Sequence, residues 1–261
     1  MQAPLLVSVA EGVVRLTLNR PKTKNALNPE LVSQLGDALA TSTNDKANRV
    51  IVITGAGGSF CSGADLLEDF QPKETDAALL EARLDRFQRL IRVIAEAPQV
   101  VIAEVDGPAV GFGADLALAC DIRVLSENAY FQEKFVAIGL MPDGGASYFL
   151  PRLVGVGRAL ELLLTGRAVR AEEALALGLA SEISSVEKLA ECVEGWVQRF
   201  RAAPPLAVQR IKHAVRNSLS GDLSQALERE KQGQLRLLRS ADLLEGVTAF
   251  REKRTPRFQG S

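Results

Sequence analysis

The sequence predicts an α/β fold in which crossover units build a sheet in the first part of the chain and helices fill the rest. Two observations predict it. Short β-branched runs alternate with amphipathic stretches through the first half, the pattern left by parallel strands with covering helices. From Leu160 onward, helical spacing dominates instead. The size suits such a fold: 261 residues, 47% of them hydrophobic, bury a full core and exclude disorder.

Leu5 to Val9 and Val13 to Leu18 are two strands joined by the turn signal Glu11-Gly12. Asn28 caps the first helix with Pro29 at its first position, and Leu31, Leu35 and Leu39 recur every four residues to give it one apolar face. Val50 to Thr54 is a buried strand. Ala77 to Ala95 is a helix with Leu80, Leu84, Phe87, Ile91 and Ile94 as its apolar stripe, ended by Pro98. Val100 to Val105 is the next buried strand. After Asp106 the chain is glycine-rich, turns helical through ADLALAC and returns as the strand IRVLS. Further on, Gly178 caps a helix, Pro204-Pro205 breaks the chain, and Leu206 to Phe250 forms two or three helices. With no repeat and no low-complexity linker, Pro204-Pro205 is the candidate boundary between a core of residues 1–203 and a helical region of residues 204–261.

Composition removes several functions. Lys and Arg total 31 against 32 for Asp and Glu, so no net field draws the molecule onto nucleic acid or an anionic membrane. One histidine is present, His213, so a Ser-His-Asp triad or a zinc site has to be built around it. It lies in RIKHAVRN at helical spacing, far from any glycine-rich turn, and reads as a surface helix residue. Cys61, Cys120 and Cys192 are odd in number and widely spaced, which suggests neither a disulfide framework nor a metal knuckle. A reducing cytoplasm fits that usage. MQAPLLVSVAEG lacks the basic and long apolar runs of a leader, and no apolar stretch approaches a membrane span.

Three glycine clusters remain: GAGGSFCSGADL from Gly55, DGPAVGFGADLALACD from Asp106 and GLMPDGGASYFLPR from Gly139. A Walker A reading fails because no GK[ST] follows, and a dinucleotide fingerprint fails because Phe60 stands where its third glycine belongs. Such turns can still aim unpaired N–H groups at a ligand from a helix N-terminus. Two of them, each running Gly-Ala-Asp into a helix, would together make an oxyanion hole. Taken singly, each is also what a tight strand-to-helix turn requires.

RPKTKNALN, GGSFCSGADL, DGPAVGFGADLALACDI, GLMPDGGASYFLPRLVG and AFREKRTPRF, in that order, resemble the signature of the enoyl-CoA hydratase/isomerase, or crotonase, superfamily from about Arg20 to Phe258. The resemblance implies a crotonase-like spiral of ββα units, a C-terminal helical trimerisation region giving a homotrimer or dimer of trimers, and an acyl-CoA thioester as substrate. Coenzyme A then belongs to the substrate, and neither a separate cofactor nor a metal is implied. By position, Ala64 and Phe112 match the two oxyanion N–H donors, with Phe112 standing where glycine is commoner. Ser62, Asp65, Leu66 and Leu67, together with Ala64, fall where the family contacts adenine and pantetheine. Lys22 and Lys24 match the CoA entrance. Phe250 and Lys253 match a C-terminal pair that reaches CoA, often from a neighbouring subunit; cationic side chains suit its phosphates.

The resemblance also ranks the chemistry. Hydratases of the family carry a glutamate in each of two loops. Here the first position is Asp115, one methylene shorter, and the second is Phe135, which transfers no proton. Asp143, in MPDGG, matches instead the single carboxylate of relatives that shift a double bond from C3 to C2, and of the ring-opening isomerase of phenylacetate breakdown. An acyl-CoA isomerase of fatty acid or aromatic catabolism is therefore expected, with hydratase as the alternative and a non-catalytic acyl-CoA binder or an aryl-CoA dehalogenase behind it. The dehalogenases need a histidine and a tryptophan nearby, and neither His213 nor Trp196 lies in a matching segment. Asp143 is expected to titrate high, walled by Phe135, Ile138, Leu140 and Met141. Read without the resemblance, Pro-Asp-Gly-Gly is an ordinary turn. For Asp115 three roles stay open: a first-turn carboxylate on the helix dipole, a second acid on the pocket, or a partner that orients water.

Overall fold

A computed structural model describes residues 3–68 and 76–261. The chain begins with the antiparallel pair β1 (Leu5–Ala10) and β2 (Val13–Leu18), closed by Glu11 and Gly12, both with positive φ. α1 (Pro29–Asn44) starts where Asn28 accepts a hydrogen bond from the Leu31 amide, and β3 (Val50–Gly55) follows. α2 (Ala77–Glu96), β4 (Val100–Val105), the short β5 (Pro108–Val110), α3 (Phe112–Ala119) and β6 (Ile122–Ser126) come next. β7 (Tyr130–Gln132) leads through a 3-10 turn at Phe135–Ile138 into α4 (Ala146–Thr165), which breaks at Gly155, φ +77°. β8 (Val169–Arg170), α5 (Ala171–Ala176), β9 (Glu182–Ser184) and α6 (Leu189–Arg201) complete the core elements. Pro204-Pro205 then separates α6 from α7 (Pro205–Arg216), α8 (Leu223–Leu237) and α9 (Ala241–Glu252).

The strands form a six-stranded sheet in the order β1-β2-β3-β4-β6-β9, parallel after the first pair, and a three-stranded sheet β5-β7-β8. Both faces of the large sheet are covered. Ile51, Ile53, Val101, Ala103 and Val105 pack with residues of α1 to α4, while Val50, Val52, Val100, Ile102 and Val124 pack with Leu189, Val193 and Val197 of α6. Burial on two sides is why β3 and β4 read as unbroken apolar runs.

The second half departs from the expectation in detail. The short strands β5, β7, β8 and β9 carry two or three residues each, too few for an alternating pattern to show. Helix also begins earlier than Leu160, at Ala146, directly after the third glycine cluster. In α2 the buried stripe is confined to Phe87, Leu90, Ile91 and Ile94; Leu80 and Leu84 are exposed, because the first turns of the helix run beyond the core. Gly178, φ +76°, follows the end of α5, and α7, α8 and α9 are the three helices of the C-terminal region. Lys212 and Arg216 of α7 both pair with Asp121, at 2.5 and 2.8 Å, which fastens this region to the sheet.

Candidate active site

The site forms where strands β3 and β4 end, the side on which open α/β sheets bind ligands. There the first two glycine clusters are laced together: the Cys61 amide donates to the Pro108 carbonyl at 3.0 Å and the Val110 amide to the Cys61 carbonyl at 2.9 Å. The approach leaves no room for side chains. A Cβ on Gly113 would lie 2.3 Å from the Cys61 carbonyl oxygen, and one on Gly63 would lie 2.8 Å from that of Val110 and 3.5 Å from the Phe112 nitrogen. Ala64 and the N-terminus of α3 are thereby neighbours, and no hydrogen bond from the Ala64 or Phe112 amide to a protein acceptor is found among the described residues. The Phe112 side chain turns away, buried edge-to-face on Phe87 with ring centroids 4.8 Å apart. Phenylalanine replaces glycine there without obstructing its own N–H.

Asn25, in the RPKTKNALN stretch, holds the first cluster from behind. Its side-chain amide donates to the carbonyls of Ala56 and Ser59 and accepts from the Arg20 amide. Nearby, Ser62 donates to Lys24 through its amide and to Thr23 through its hydroxyl, so Lys22, Lys24, Ser62 and Ala64 lie on one rim, with both lysines exposed. Leu66 and Leu67 are exposed beside it. Asp65 differs from its neighbours. Its carboxylate is buried, paired with Arg20 at 2.7 Å and accepting from the Leu67 and Glu68 amides, and its own amide donates to the Leu27 carbonyl, so it builds the loop and leaves a ligand only its backbone carbonyl. Burial pushes this carboxyl up, but Arg20 and the two amides outweigh it and hold it below its ordinary value.

No hydrogen bond or ion pair among the described residues ties Phe250 or Lys253 to this rim. Phe250 is 86% exposed, and the tail beyond α9 docks elsewhere: Gln259 and Gly260 donate to Asp242, and Arg49, just before β3, donates to the Phe258 carbonyl. An acyl pocket of this family's kind would be lined by segments such as Phe70 to Leu80, which lies in part outside the described residues. Nor do all the expected neighbours of Asp143 close over it. Phe135 is partly buried on the core, whereas Ile138, Leu140 and Met141 are exposed, carried outward by the 3-10 turn and by Gly139, φ +76°.

Asp143 and Asp115 meet across the third cluster. Asp115, in the first turn of α3, is fully buried; its Oδ1 accepts from the Ala146 amide at 2.8 Å, at the start of α4, and its Oδ2 has no hydrogen-bond partner among the described residues. Burial first, then the negative charge of Asp143, push its pKa to about 8, against the nearby amides of Ala146 and Gly144. Asp143 is half-buried, and burial raises it too, opposed by a backbone hydrogen bond and by Arg83 on α2. Two groups escaped the sequence reading. Arg83 stands four residues before Phe87 on the same helical face, a spacing that could have shown it. Glu133, directly after β7, is buried with neither carboxyl oxygen partnered among the described residues, and burial followed by the charges of Asp115 and Asp143 raises it well above the ordinary glutamate value. Its only signal was an acidic residue two positions before Phe135. Among the described residues no group of three or more His, Cys, Asp or Glu is arranged to hold a metal.

The family model for enoyl-CoA hydratase/isomerase matches residues 8–261. This chain belongs to that family. The 1,2-epoxyphenylacetyl-CoA isomerase of Escherichia coli is 37% identical over 257 residues, covering 98% of each chain. The 2,3-dehydroadipyl-CoA hydratase of the same organism is also 37% identical, over 256 residues and 98% of each chain. The crystal structure of an enoyl-CoA hydratase from Bacillus anthracis superimposes with a TM-score of 0.93 at 35% identity, covering 99% of this chain and 100% of that one. The crotonase-like fold is thus shared with the family, whose members carry both isomerase and hydratase names.

Proposed function

We propose that the chain is an acyl-CoA isomerase that shifts a double bond, or opens a ring, by enolate chemistry with Asp143 as its acid and base. One observation carries this reading: of the carboxyls gathered at the third cluster, Asp143 alone is partly open to solvent while its pKa is held above the ordinary range. The Ala64 and Phe112 amides would polarise the thioester carbonyl and take up charge as the Asp143 carboxylate removes a C2 proton. Preorganised donors of this kind are worth about 3–4 kcal/mol each in related chemistry. The dienolate is then protonated at C4 by the same carboxyl group, so no proton is gained or lost overall. Asp115, still neutral when Asp143 ionises, serves as an auxiliary that keeps a second full charge away from the dienolate.

The CoA portion would lie along Lys22, Lys24, Ser62, Ala64 and the backbone at Asp65, with Leu66 and Leu67 beside it. Phe250 and Lys253 would reach CoA from a neighbouring subunit of a homotrimer or dimer of trimers. Exposed Ile211, Val215, Leu227, Leu235 and Leu238 on α7 and α8, and after α8, support assembly through this region. No metal or separate cofactor enters the scheme. A cytoplasmic setting and a place in fatty acid or phenylacetate breakdown belong to the same proposal; no helix among the described residues is long and apolar enough to cross a membrane.

Hydration of a 2-enoyl-CoA is the second reading, favoured by the juxtaposition of two acids, Asp115 and Asp143. Against it stands Phe135 where a second proton-transferring side chain would be needed. The test offers 3-enoyl-CoA, 2-enoyl-CoA and ring-epoxide CoA thioesters to the wild-type protein. Faster turnover of the 3-enoyl or epoxide substrate is expected; faster loss of the conjugated absorbance of crotonyl-CoA would reverse the assignment.

A further inference from the structure

Glu133 is a buried acid for which the proposed reaction has no use. Backbone bonds set it beside Asp115: the Gly111 amide donates to the Gln132 carbonyl at 2.8 Å, and the Gly111 carbonyl accepts from the Asp115 amide at 3.1 Å. Three carboxyl oxygens lie in this interior with no hydrogen-bond partner among the described residues, both from Glu133 and Oδ2 from Asp115. The charged groups that act on Glu133 are Asp115 on α3 and Asp143 before α4, both of its own sign; Arg83 on α2 acts on Asp143. Carboxylates withdrawn from water with no counter-cation neutralise by keeping a proton. Oδ1 of Asp115 is committed to the Ala146 amide, which leaves Oδ2 as the oxygen available to carry a proton.

We propose that Asp115 and Glu133 act as one acid pair that retains at least one proton in the folded protein at neutral pH, with Glu133 as a positioning residue that shares the pair's proton with Asp115. The pair then sets at most one full negative charge beside Asp143 when that group acts as base. This consequence for catalysis rests on the isomerase reading; the retained proton does not.

Two measurements keep the two claims apart. The first compares thermal unfolding of wild type, Glu133→Gln and Asp115→Asn from about pH 5 to 9. A group whose folded pKa is raised contributes stability that is complete below its unfolded pKa and is lost as pH rises toward the folded value. The melting temperature of Glu133→Gln is therefore expected to gain on wild type steadily with pH, and infrared spectra at about pH 7 to lose one carboxylic acid C=O band in that variant. A difference independent of pH, with no band lost, would overturn the proposal. The second follows kcat against pH with a 3-enoyl-CoA. Glu133→Gln should move the alkaline limb and leave the acid limb, which belongs to Asp143, in place. Both limbs unchanged would remove Glu133 from any role in positioning, whereas an inactive wild type would defeat only the isomerase reading and leave the unfolding and infrared results standing.

Discussion

Gly144→Ala puts one methyl group where the structure has none to spare. The new Cβ would lie 2.6 Å from both Cβ and Oδ2 of Asp115 and 2.7 Å from Cγ, where ordinary contacts begin near 3.4 Å. Helix α3 or the start of α4 must therefore yield by about 1 Å, a degree of overpacking that costs about 2 kcal/mol. For a chain of this size that corresponds to a fall of about 4–8 °C in melting temperature. The displacement also pulls Asp115 off the Ala146 amide, so isomerase activity should fall with stability. A double-mutant cycle isolates the cause. Asp115→Gly removes all three clashing atoms, so adding Gly144→Ala to that background should cost close to nothing, the helix penalty of the new glycine appearing in both arms and cancelling. If Gly144→Ala lowers the melting temperature equally in both backgrounds, its contact with Asp115 is not what excludes a side chain, and the argument that this glycine exists to seat Asp115 is refuted.

Asp115→Asn keeps the acceptor for the Ala146 amide but removes the ionisable group. Since burial lifts the folded pKa from 3.8 to about 8, wild type should lose stability relative to the variant by about 1.4 kcal/mol per pH unit across that window, and a melting-temperature difference that stays flat from pH 5 to 8 would contradict it. Arg20→Met strands the buried Asp65 carboxylate and is expected to cost about 3–5 kcal/mol, read by denaturant unfolding; a loss under 1 kcal/mol would show the pair to be dispensable. Phe135→Glu restores a carboxyl at the second hydratase position. Crotonyl-CoA hydration, followed by its absorbance, should rise above wild type, and no increase would mean that Phe135 is not what suppresses it.

Much of this arrangement was readable from residue order because it depends on local rules. Asn28-Pro29 capped α1 as expected, Val13–Leu18 and Val100–Val105 matched their strands to the residue, and the glycine clusters marked the tight turns at the ends of β3 and β4. What stayed hidden depends on distant partners. Asp65 looks like a ligand-facing loop residue until Arg20, forty-five positions away, is seen to hold it. Phe112 reads only as a departure from glycine at a donor position until Phe87 is seen to accept its ring. Glu133 gave no periodic signal, because β7 is three residues long and the charge that defines its neighbourhood comes from α3 and from the loop before α4. Two-residue and three-residue strands such as β8 and β9 exist because neighbouring strands supply their hydrogen bonds, and no local pattern announces that.

The central claim is that a single carboxylate, Asp143, moves the proton. Its most direct test is the rate of 3-enoyl-CoA isomerisation by Asp143→Asn, which preserves size and polarity and removes only the base. A loss of about 10²–10⁴-fold in kcat, with a melting temperature no lower than that of wild type, is the predicted result. Turnover at the wild-type rate by that variant would place the chemistry on another group and contradict the account.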